Sequence, residues 1–409
     1  AIKLNLIILY YMKCENFDIV IAGSGLTGLS ASIALSKAGF KIALVDPKPF
    51  KDFLETSYDC RTTALSCQAA DFYNEIDVWK LVKKYTCPIN NILVEEPSAN
   101  AYSFLNKTNN EKNTLGFMIQ NKNFFKVLLE KVKKNKNIKK FDDKIISFDR
   151  NSHTVYTHLK CLRLSSSLLI AADGKNSSVR NLANIKTVTK DYNQKAFVFN
   201  IKHQYSHENL ATENFLEFGP LASLPLKIGK YKNYSSIVWS CNFPHYLSFK
   251  NNEKKFLEDF LEKNLNKCYG KVKIISSIKN WNLSLSNSKK YLDHRILLLG
   301  DSAHSIHPIA GQSFNLTLRG LKKLYYIAKY SFLVNSDIGD TTNLRSYNTS
   351  HYIDAKLLIL ATDKLNTLFS NSNVGLRILR RNGIRIFNKI NLFKNVFKNY
   401  ASRGKISIN

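Results

Sequence analysis

The sequence lacks any apolar run close to the roughly 18 residues that a helix needs to cross a bilayer. The nearest approach, residues 4–11, is far too short and has no small-residue cleavage site behind it. We therefore predict that the chain is not an integral membrane protein. Residues 1–11 precede Met12 and the first predicted strand, and we interpret them as upstream translation or a cloning remnant rather than as part of the fold.

Cysteine is scarce and irregularly placed. The seven cysteines are odd in number and never stand in C-x-x-C spacing. This pattern disfavours a disulfide framework and a zinc site, and it fits reduced thiols in the cytoplasm. The sequence also lacks the G-x-S-x-G pattern of a nucleophile elbow, which disfavours a serine hydrolase.

Acidic residues are few, because 31 aspartates and glutamates stand against 60 lysines and arginines, for a formal net charge of +29. A basic surface attracts nucleic acids and anionic lipids. Here the basic residues are spread evenly along the chain, as in codon drift of an AT-rich genome, and no basic block alternates with aromatic residues. We predict no nucleic-acid partner, whereas contact with an anionic membrane surface stays open.

A βαβ pattern stands near the start of the chain. An apolar strand is predicted over 17–22, an amphipathic helix over 29–38 and a second apolar strand over 41–45. A G-x-G-x-x-G triplet fills the turn between the first strand and the helix. In this context the triplet predicts binding of an adenine dinucleotide, and the alternative is an ordinary βα turn.

Each glycine of the triplet has a physical role. Gly23 permits a tight turn, Gly25 lets the backbone approach a pyrophosphate, and Gly28 lets helix and strand pack closely. The helix N-terminus offers unpaired N–H groups and a positive dipole end to the phosphates. Asp46 lies 18 residues after Gly28, where a carboxylate can accept hydrogen bonds from both hydroxyls of an adenosine ribose.

The alternation of residues changes in the middle of the chain. Between about 185 and 285 the apolar residues have period two, with breakers such as Gly219-Pro220, which predicts a mainly antiparallel sheet inserted into an α/β domain. We predict a cofactor-binding domain in two parts (12–184 and 286–345), a substrate-domain insertion (185–285) and a helical C-terminal segment (346–409).

Two further motifs each follow a predicted buried strand. Asp173-Gly174 comes directly after the apolar run 168–172, and Asp301 follows the run 295–299. The second of these leads into the turn Gly311-Gln312-Ser313-Phe314-Asn315. The three motifs in this order resemble the flavoprotein aromatic hydroxylases, whose fold joins a Rossmann-like FAD-binding domain to an inserted β-sheet substrate domain.

Other stretches are similar to the ubiquinone-biosynthesis hydroxylase branch of that family, at residues 59–66, 115–121, 213–226 and 362–370. The resemblance extends from Met12 to about Ser402. It implies a FAD-dependent monooxygenase that takes hydride from NAD(P)H, activates O₂ and hydroxylates the ring of a polyprenylated phenol. Since the sequence has no second nucleotide fingerprint, NAD(P)H is expected to dock only transiently.

The resemblance also implies roles for individual residues. Asp301 is expected to bind a ribityl hydroxyl of the flavin, the helix start after Gly311 to face its pyrimidine edge, and Arg61 to lie near the substrate channel. The predicted catalytic residues are Arg61, His307, Pro308 and Gln312. The predicted cofactor-binding residues are Gly23, Gly25, Gly28, Asp46, Arg61, Gln120, Asp173, Gly174, Asp301, Gly311, Gln312, Ser313, Phe314 and Asn315.

Simpler structural roles stay open for some of these residues. Asp301 is alternatively a helix cap or turn residue, and Arg61 a surface arginine at the start of a helix. His304 and His307 have the spacing of metal ligands, but no third ligand accompanies them and Pro308 follows directly. We therefore predict turn-forming structural histidines and no metal.

Four positions depart from the family pattern. Ser313 and Thr317 replace glycines, Gly320 replaces an aspartate, and His351 replaces an arginine. A side chain at position 313 is expected to crowd the flavin edge or to require a backbone angle that serine disfavours. Two alternative functions therefore stay open: a hydroxylase of a soluble aromatic compound, and a degenerate, flavin-poor scaffold subunit of the quinone pathway.

The implied substrate also predicts where the protein works. A polyprenyl tail lies in the bilayer, so we predict a cytoplasmic protein that docks on the inner face of the cytoplasmic membrane, with other quinone-biosynthesis proteins as further partners. Ile386, Ile390 and Phe393 fall at helical spacing among basic residues. They predict a helix packed on the protein itself or, alternatively, a basic amphipathic helix on a membrane surface.

Overall fold

The computed structural model describes residues 13–55, 60–96, 101–106, 114–217, 219–242, 254–308 and 311–369. The C-terminal stripe predicted around residues 386–400 lies outside these ranges. The described residues contain nine α-helices: α1 (Leu26–Lys37), α2 (Phe50–Glu55), α3 (Cys67–Glu75), α4 (Trp79–Lys83), α5 (Asn121–Lys133), α6 (Ser178–Leu182), α7 (Lys254–Tyr269), α8 (Ser313–Leu333) and α9 (Thr341–Phe369).

The same ranges contain 22 strands. They are β1 (Cys14–Asn16), β2 (Ile19–Ala22), β3 (Ile42–Val45), β4 (Thr62–Leu65), β5 (Cys87–Ile89), β6 (Asn91–Glu96), β7 (Ala101–Asn106), β8 (Gly116–Gln120), β9 (Ile138–Phe141), β10 (Ser147–Arg150), β11 (Val155–His158), β12 (Arg163–Ser166), β13 (Leu168–Ala171), β14 (Thr187–His203), β15 (Leu210–Leu216), β16 (Gly219–Ile228), β17 (Tyr231–Asn242), β18 (Val272–Ile274), β19 (Lys279–Ser288), β20 (Leu292–Asp293), β21 (Ile296–Leu298) and β22 (His304–Ser305).

A six-stranded sheet in the order β20-β21-β13-β2-β3-β9 forms the centre of the cofactor-binding domain. All its strands are parallel except β20, at one edge. Strands β2, β3 and β13 are fully buried, as their uninterrupted apolar sequences require. Most residues of helix α1 are small or apolar, because the helix packs against this sheet, α5 and α8. The loops after β2, β3, β13 and β21 therefore meet at one edge of the sheet.

A larger, mainly antiparallel sheet has the order β22-β19-β14-β17-β16-β15-β6-β7, with β18 paired to β14. The predicted insertion supplies β14 to β19 and α7. Strands β6 and β7 extend this sheet, since β6 pairs in parallel with β15. The sequence analysis predicted no strand in this region, because polar residues at the end of β6 and in β7 hide the period-two alternation.

The two faces of this nine-stranded sheet pack against different elements. One face forms a core with α7 that includes Phe199, Trp239 and Leu261. The other face contacts the three-stranded sheet β4-β8-β5 through a small cluster that includes Met118 and Ala211. The second face is therefore turned toward the cofactor-binding domain.

A four-stranded sheet, β1-β12-β11-β10, completes the described fold. The predicted class, an α/β domain with an inserted mainly antiparallel sheet and a helical C-terminal region, is confirmed. Within the described ranges, none of the helices combines the length and the apolar character that crossing a membrane requires.

Candidate active site

A cavity of about 720 Å³ lies at the edge of the six-stranded sheet where its parallel strands end. Nine of the predicted site residues line it: Gly23, Gly25, Asp46, Arg61, Asp173, Gly174, Asp301, Ser313 and Phe314. Further lining residues that the sequence analysis did not single out are Thr27, Lys48, Asn121, Phe125, Lys144 and Asn176. The three motifs, which are far apart in the chain, thus border one space.

The glycine turn after β2 has the geometry that its sequence predicts. Gly23 has a φ of +100°, and a Cβ there would lie 2.4 Å from the carbonyl oxygen of Ala172. A Cβ on Gly28 would lie only 1.8 Å from the carbonyl oxygen of Gly23. A Cβ on Gly25, by contrast, would meet no protein atom within 4 Å. Gly23 and Gly28 are therefore required by close packing, whereas Gly25 keeps open the space in front of α1.

Helix α1 begins at this open space without a side-chain cap. Gly25 is its N-cap residue and provides no capping side chain. The first N–H groups and the positive end of the helix dipole are therefore available to an anionic group in the cavity.

Asp46 stands at the end of β3, at the same side of the cavity. Its Oδ2 accepts a hydrogen bond from the Ser24 backbone N–H at 2.6 Å, and its Oδ1 accepts one from the Lys48 N–H at 2.8 Å. Each carboxylate oxygen has a second lone pair, so both can still accept a hydroxyl. The backbone of the glycine turn thus fixes the orientation of this carboxylate.

Asp173 has a structural role at the start of a helix. Its Oδ2 accepts hydrogen bonds from the backbone N–H groups of Ser178, at 2.8 Å, and Val179, at 3.2 Å. These bonds satisfy free donors at the start of α6. Gly174, with a φ of +86°, turns the chain along the wall of the cavity. The Asp173-Gly174 motif shapes the site and anchors α6.

Asp301 lies just after β21 in a short 3₁₀ turn and lines the cavity. The surrounding protein withholds water from its carboxyl and raises the pKa, while the positive charge of Lys175 opposes this rise. The carboxyl is therefore placed to hydrogen-bond a neutral hydroxyl group.

Helix α8 begins beside the cavity after a left-handed residue, Gly311, with a φ of +59°. Gln312 is the N-cap residue, with helical backbone angles and no side-chain capping bond. Ser313 is the first residue of the helix and does not need a left-handed backbone angle. The structure therefore excludes the unfavourable backbone angle that was expected at position 313. Crowding of the flavin edge stays a prediction, because Ser313 and Thr317 both line the cavity.

Asn315 and Phe314 hold the start of α8 in place. Asn315 is buried, donates a hydrogen bond from Nδ2 to the Ala64 carbonyl at 3.0 Å, and accepts one from the Ser66 N–H at 2.9 Å. Phe314 lines the cavity and packs edge-on against Phe124, with ring centroids 5.9 Å apart. Asn315 therefore fastens α8 to β4 rather than lining the cavity.

Two predicted catalytic residues contact the nine-stranded sheet, and of the two Arg61 lines the cavity whereas His307 does not. Arg61 lines the cavity, and its guanidinium lies 5.7 Å from the ring centroid of Trp281. His307 is buried, with Nε2 3.0 Å from Gln194 Oε1 on β14. Burial lowers the pKa of His307 to about 4, so its imidazole is neutral near pH 7. Pro308 follows it directly.

Gln120 is at the end of β8, and the structure does not bring it into the 720 Å³ cavity. It lines a second concavity of about 510 Å³ together with Lys84 and Lys227. The next residue, Asn121, lines the first cavity instead, and its Oδ1 accepts a hydrogen bond from Thr63 at 2.7 Å. The predicted residue, Gln120, is therefore one position away from the residue that lines the cavity.

His304 and His307, which are close in the sequence, have different partners in the fold. His304 is buried and its Nε2 lies 3.2 Å from Nε2 of His351, whereas His307 contacts Gln194. Within the residues that the structure describes, no three potential ligands of a metal ion are grouped together.

Residues 16–332 match the family described as FAD binding domain. The chain belongs to this family. Ubiquinone hydroxylase UbiL of Rhodospirillum rubrum is 28% identical over 390 residues, which cover 94% of this chain and 89% of the relative. Ubiquinone biosynthesis monooxygenase COQ6, mitochondrial, of Dictyostelium discoideum is 27% identical over 453 residues, covering 94% and 90%.

A solved structure has the same fold. The crystal structure of p-nitrophenol 4-monooxygenase PnpA from Pseudomonas putida has a TM-score of 0.75 at 14% identity and covers 95% of this chain and 97% of that one. The comparisons confirm the predicted FAD cofactor, the flavin-dependent monooxygenase class and the resemblance to ubiquinone hydroxylases.

The residues around the cavity fit FAD. Gly25 leaves open space at an uncapped helix N-terminus, which suits the pyrophosphate. Carboxylates of Asp46 and Asp301 border the same space and offer acceptors for hydroxyl groups. Lys48 and Lys144 add positive charge to its lining.

Proposed function

We propose that this chain hydroxylates the aromatic ring of a polyprenylated phenol in ubiquinone biosynthesis, with FAD as cofactor and NAD(P)H and O₂ as co-substrates. The observation that carries the proposal is the single cavity bordered by the glycine turn, Asp46, Asp301 and the start of α8. The names of the relatives, ubiquinone hydroxylase and ubiquinone biosynthesis monooxygenase, supply the substrate class.

The proposed arrangement of FAD follows the lining of the cavity. Asp46 accepts hydrogen bonds from the adenosine ribose, the start of α1 at Gly25 receives the pyrophosphate, and Asp301 binds a ribityl hydroxyl. Ser313 and Phe314 at the start of α8 would then hold the flavin-ring end. Bound FAD supplies the redox chemistry, by accepting hydride from NAD(P)H and activating O₂.

The protein contributes position and charge at the ring end. The N-terminus of α8 places its dipole toward negative charge that develops on the flavin edge. Arg61, stacked near Trp281, adds a fixed positive charge at the junction with the nine-stranded sheet. The neutral imidazole of His307 contacts Gln194 on β14 and so links the chain just before Pro308 to the nine-stranded sheet.

We further propose that the enzyme is cytoplasmic and works at the inner face of the cytoplasmic membrane, beside other quinone-biosynthesis proteins. The net charge of +29 supports attraction to anionic lipids. Salt or carbonate washing of membranes tests this location. The membrane fraction is expected to release the protein, and the absence of any membrane-associated pool contradicts the docking proposal.

The test of the reaction is complementation of bacteria that lack a ubiquinone-pathway hydroxylase. Expression of this chain is expected to restore quinone and to remove the accumulated under-hydroxylated intermediate, identified by mass spectrometry. A variant with Asp301→Ala, which removes an acceptor for the ribityl chain, is the matched negative control. A well-expressed chain that leaves the intermediate unchanged contradicts the proposed reaction.

One observation favours a second function. Ser313 and Thr317, which replace family glycines, both project toward the cavity and reduce the room for the flavin. A flavin-poor subunit that scaffolds other quinone-pathway proteins is the function that this crowding favours. Purified protein with stoichiometric FAD contradicts it.

A further inference from the structure

Trp281 lies on the face of the nine-stranded sheet that is turned toward the cofactor-binding domain. Its partner across the strands is Ala196 on β14, and directly paired residues of neighbouring strands share one face of a sheet. The next residue of β14, Phe197, lies on the opposite face, because it packs in the core beneath α7. Since Trp281 is 39% exposed, its indole is not enclosed in a core of its own.

The indole of Trp281 contacts a residue of the cofactor site. The guanidinium carbon of Arg61 lies 5.7 Å from the centroid of the Trp281 ring, within the range of a cation–π interaction. Arg61 itself lines the 720 Å³ cavity. A side chain of the substrate-domain sheet thus reaches an arginine that borders the cavity.

The residues on both sides of Arg61 are bound to the same sheet. The Cys60 thiol donates a hydrogen bond to the Val198 carbonyl of β14 at 3.2 Å. The Thr62 hydroxyl donates one to Ser236 Oγ of β17, also at 3.2 Å. These bonds fix the backbone at position 61 relative to the strand that carries Trp281.

Stacking on an indole suits an arginine that has to bind an anion. A long side chain loses rotamer freedom when it binds, and a contact that already restricts the side chain lowers this entropy cost. The indole meets the flat face of the guanidinium, whereas the five N–H donors of the guanidinium lie in its plane. The contact with Trp281 therefore orients Arg61 without using those donors.

FAD offers an anion to a guanidinium at this position. Its pyrophosphate is negatively charged, and the flavin gains negative charge on reduction. Arginine binds such groups through short, charge-assisted hydrogen bonds. The match of residues 16–332 to the FAD-binding family and the lining of the cavity by Arg61 place both partners in one space.

We propose that Trp281 is a positioning residue of the cofactor site, which holds the guanidinium of Arg61 in the orientation that binds an anionic group of FAD. The inference rests on the proposed placement of FAD in the cavity. It goes beyond that placement, because it gives a residue of the substrate-domain sheet a role in the affinity for FAD.

A double-mutant cycle on the full chain tests the proposal. The FAD-free wild type, Trp281→Ala, Arg61→Ala and the double variant are titrated with FAD, and flavin fluorescence gives each Kd. Trp281→Phe keeps an aromatic face at the same position. Asn282→Ala, at the exposed next residue of β19, is the matched control. Thermal unfolding midpoints without FAD show whether each variant is folded.

We expect Arg61→Ala to weaken FAD binding about tenfold, as for loss of a hydrogen bond to a charged group. Trp281→Ala is expected to weaken it about threefold, the size of a cation–π contact at an exposed site. The double variant is expected to match Arg61→Ala, because Trp281 acts through Arg61. Trp281→Phe stays within about twofold of the wild type, and Asn282→Ala binds FAD as the wild type does.

Three results overturn the inference. They are a Trp281→Ala variant with the wild-type Kd, whatever its unfolding midpoint, an Arg61→Ala variant with the wild-type Kd, and additive losses of about thirtyfold in the double variant. A wild type that fails to bind FAD overturns the inference and the proposed function together. A wild type that shows the expected coupling but forms no hydroxylated prenylphenol contradicts the proposed function alone.

Discussion

The imidazole of His351 occupies the space that a side chain at position 320 needs. A Cβ on Gly320 would lie 2.6 Å from His351 Cε1, and both residues are buried in the contact between α8 and α9. The family pattern has an aspartate at position 320 and an arginine at position 351. The two departures therefore lie at one site and compensate each other, because a glycine accepts the ring that replaces the arginine.

This pairing predicts the outcome of a double-mutant cycle. Gly320→Asp alone forces a carboxylate against the His351 ring and is expected to destabilise the protein by about 3 kcal/mol, as for a buried unpaired charge. Adding His351→Arg supplies a counter-charge, and the double variant is expected to recover at least 1 kcal/mol, on the order of coupling between contacting residues. Urea denaturation of all four proteins measures the coupling. Strictly additive effects contradict the pairing.

The side chain of Ser313 is expected to reduce the space that the cavity offers to the flavin. Ser313→Gly removes a side chain from the cavity lining and is expected to tighten FAD binding roughly threefold, or ~0.7 kcal/mol. Fluorescence titration of the FAD-free protein measures the Kd. Ser346→Gly, on the exposed surface of α9, controls for a glycine placed in a helix. An unchanged or weaker affinity for FAD in Ser313→Gly shows that this side chain does not crowd the cofactor.

Substitutions of two glycines in the first motif are expected to have different effects, one on folding and the other on FAD binding. Gly28→Ala places a methyl group 1.8 Å from the Gly23 carbonyl oxygen and is expected to destabilise the fold by more than 1 kcal/mol. Gly25→Ala meets no protein atom within 4 Å, so it should fold normally and lose FAD affinity by about tenfold or more. Thermal unfolding without FAD, followed by FAD titration, measures both. Normal FAD binding by Gly25→Ala argues against a pyrophosphate at this turn.

Glu213 should lower the stability of the protein at alkaline pH. Its pKa rises from 4.5 to about 7 in the folded protein, so the folded state binds more protons than the unfolded state between these values. Below pH 4.5 the carboxyl is protonated in both states and has no effect. Above pH 7 it is ionised in both, and the folded state loses roughly 2 kcal/mol, a figure reduced for partial exposure.

Glu213→Gln removes this loss of stability. The variant is expected to exceed the wild type in free energy of unfolding at pH 8, with a much smaller difference at pH 5. Urea denaturation at the two pH values measures it, and Glu217→Gln serves as the control. A difference that is equal at both pH values contradicts the raised pKa.

The backbone geometry around the first motif is what the sequence predicted best. Gly23, Gly28 and Asp46 follow rules of local backbone geometry, and a βα turn can be recognised from about 30 consecutive residues. The fold brings Asp173 and Asp301 to the same edge because parallel strands end together. The position of each aspartate directly after a predicted strand was therefore enough to predict that the two share one edge of the sheet.

The sequence could not predict contacts that depend on the packing of distant elements. Asn121 lines the cavity because β8 ends beside β4, and nothing in its neighbourhood distinguishes it from Gln120. The unfavourable backbone angle expected at Ser313 does not occur, because the left-handed residue is Gly311. Pairing of β6 with β15 joins residues about 120 positions apart, beyond the reach of local periodicity.

The central claim is that a flavin in this cavity transfers oxygen from O₂ to a phenol ring. The most direct measurement is a reaction of the FAD-loaded protein with NAD(P)H, ¹⁸O₂ and a phenol bearing a short prenyl tail, analysed by mass spectrometry. We predict a ring-hydroxylated product that carries one ¹⁸O atom and depends on both FAD and NAD(P)H. Unlabelled product, or NAD(P)H oxidation that yields only hydrogen peroxide, contradicts the account.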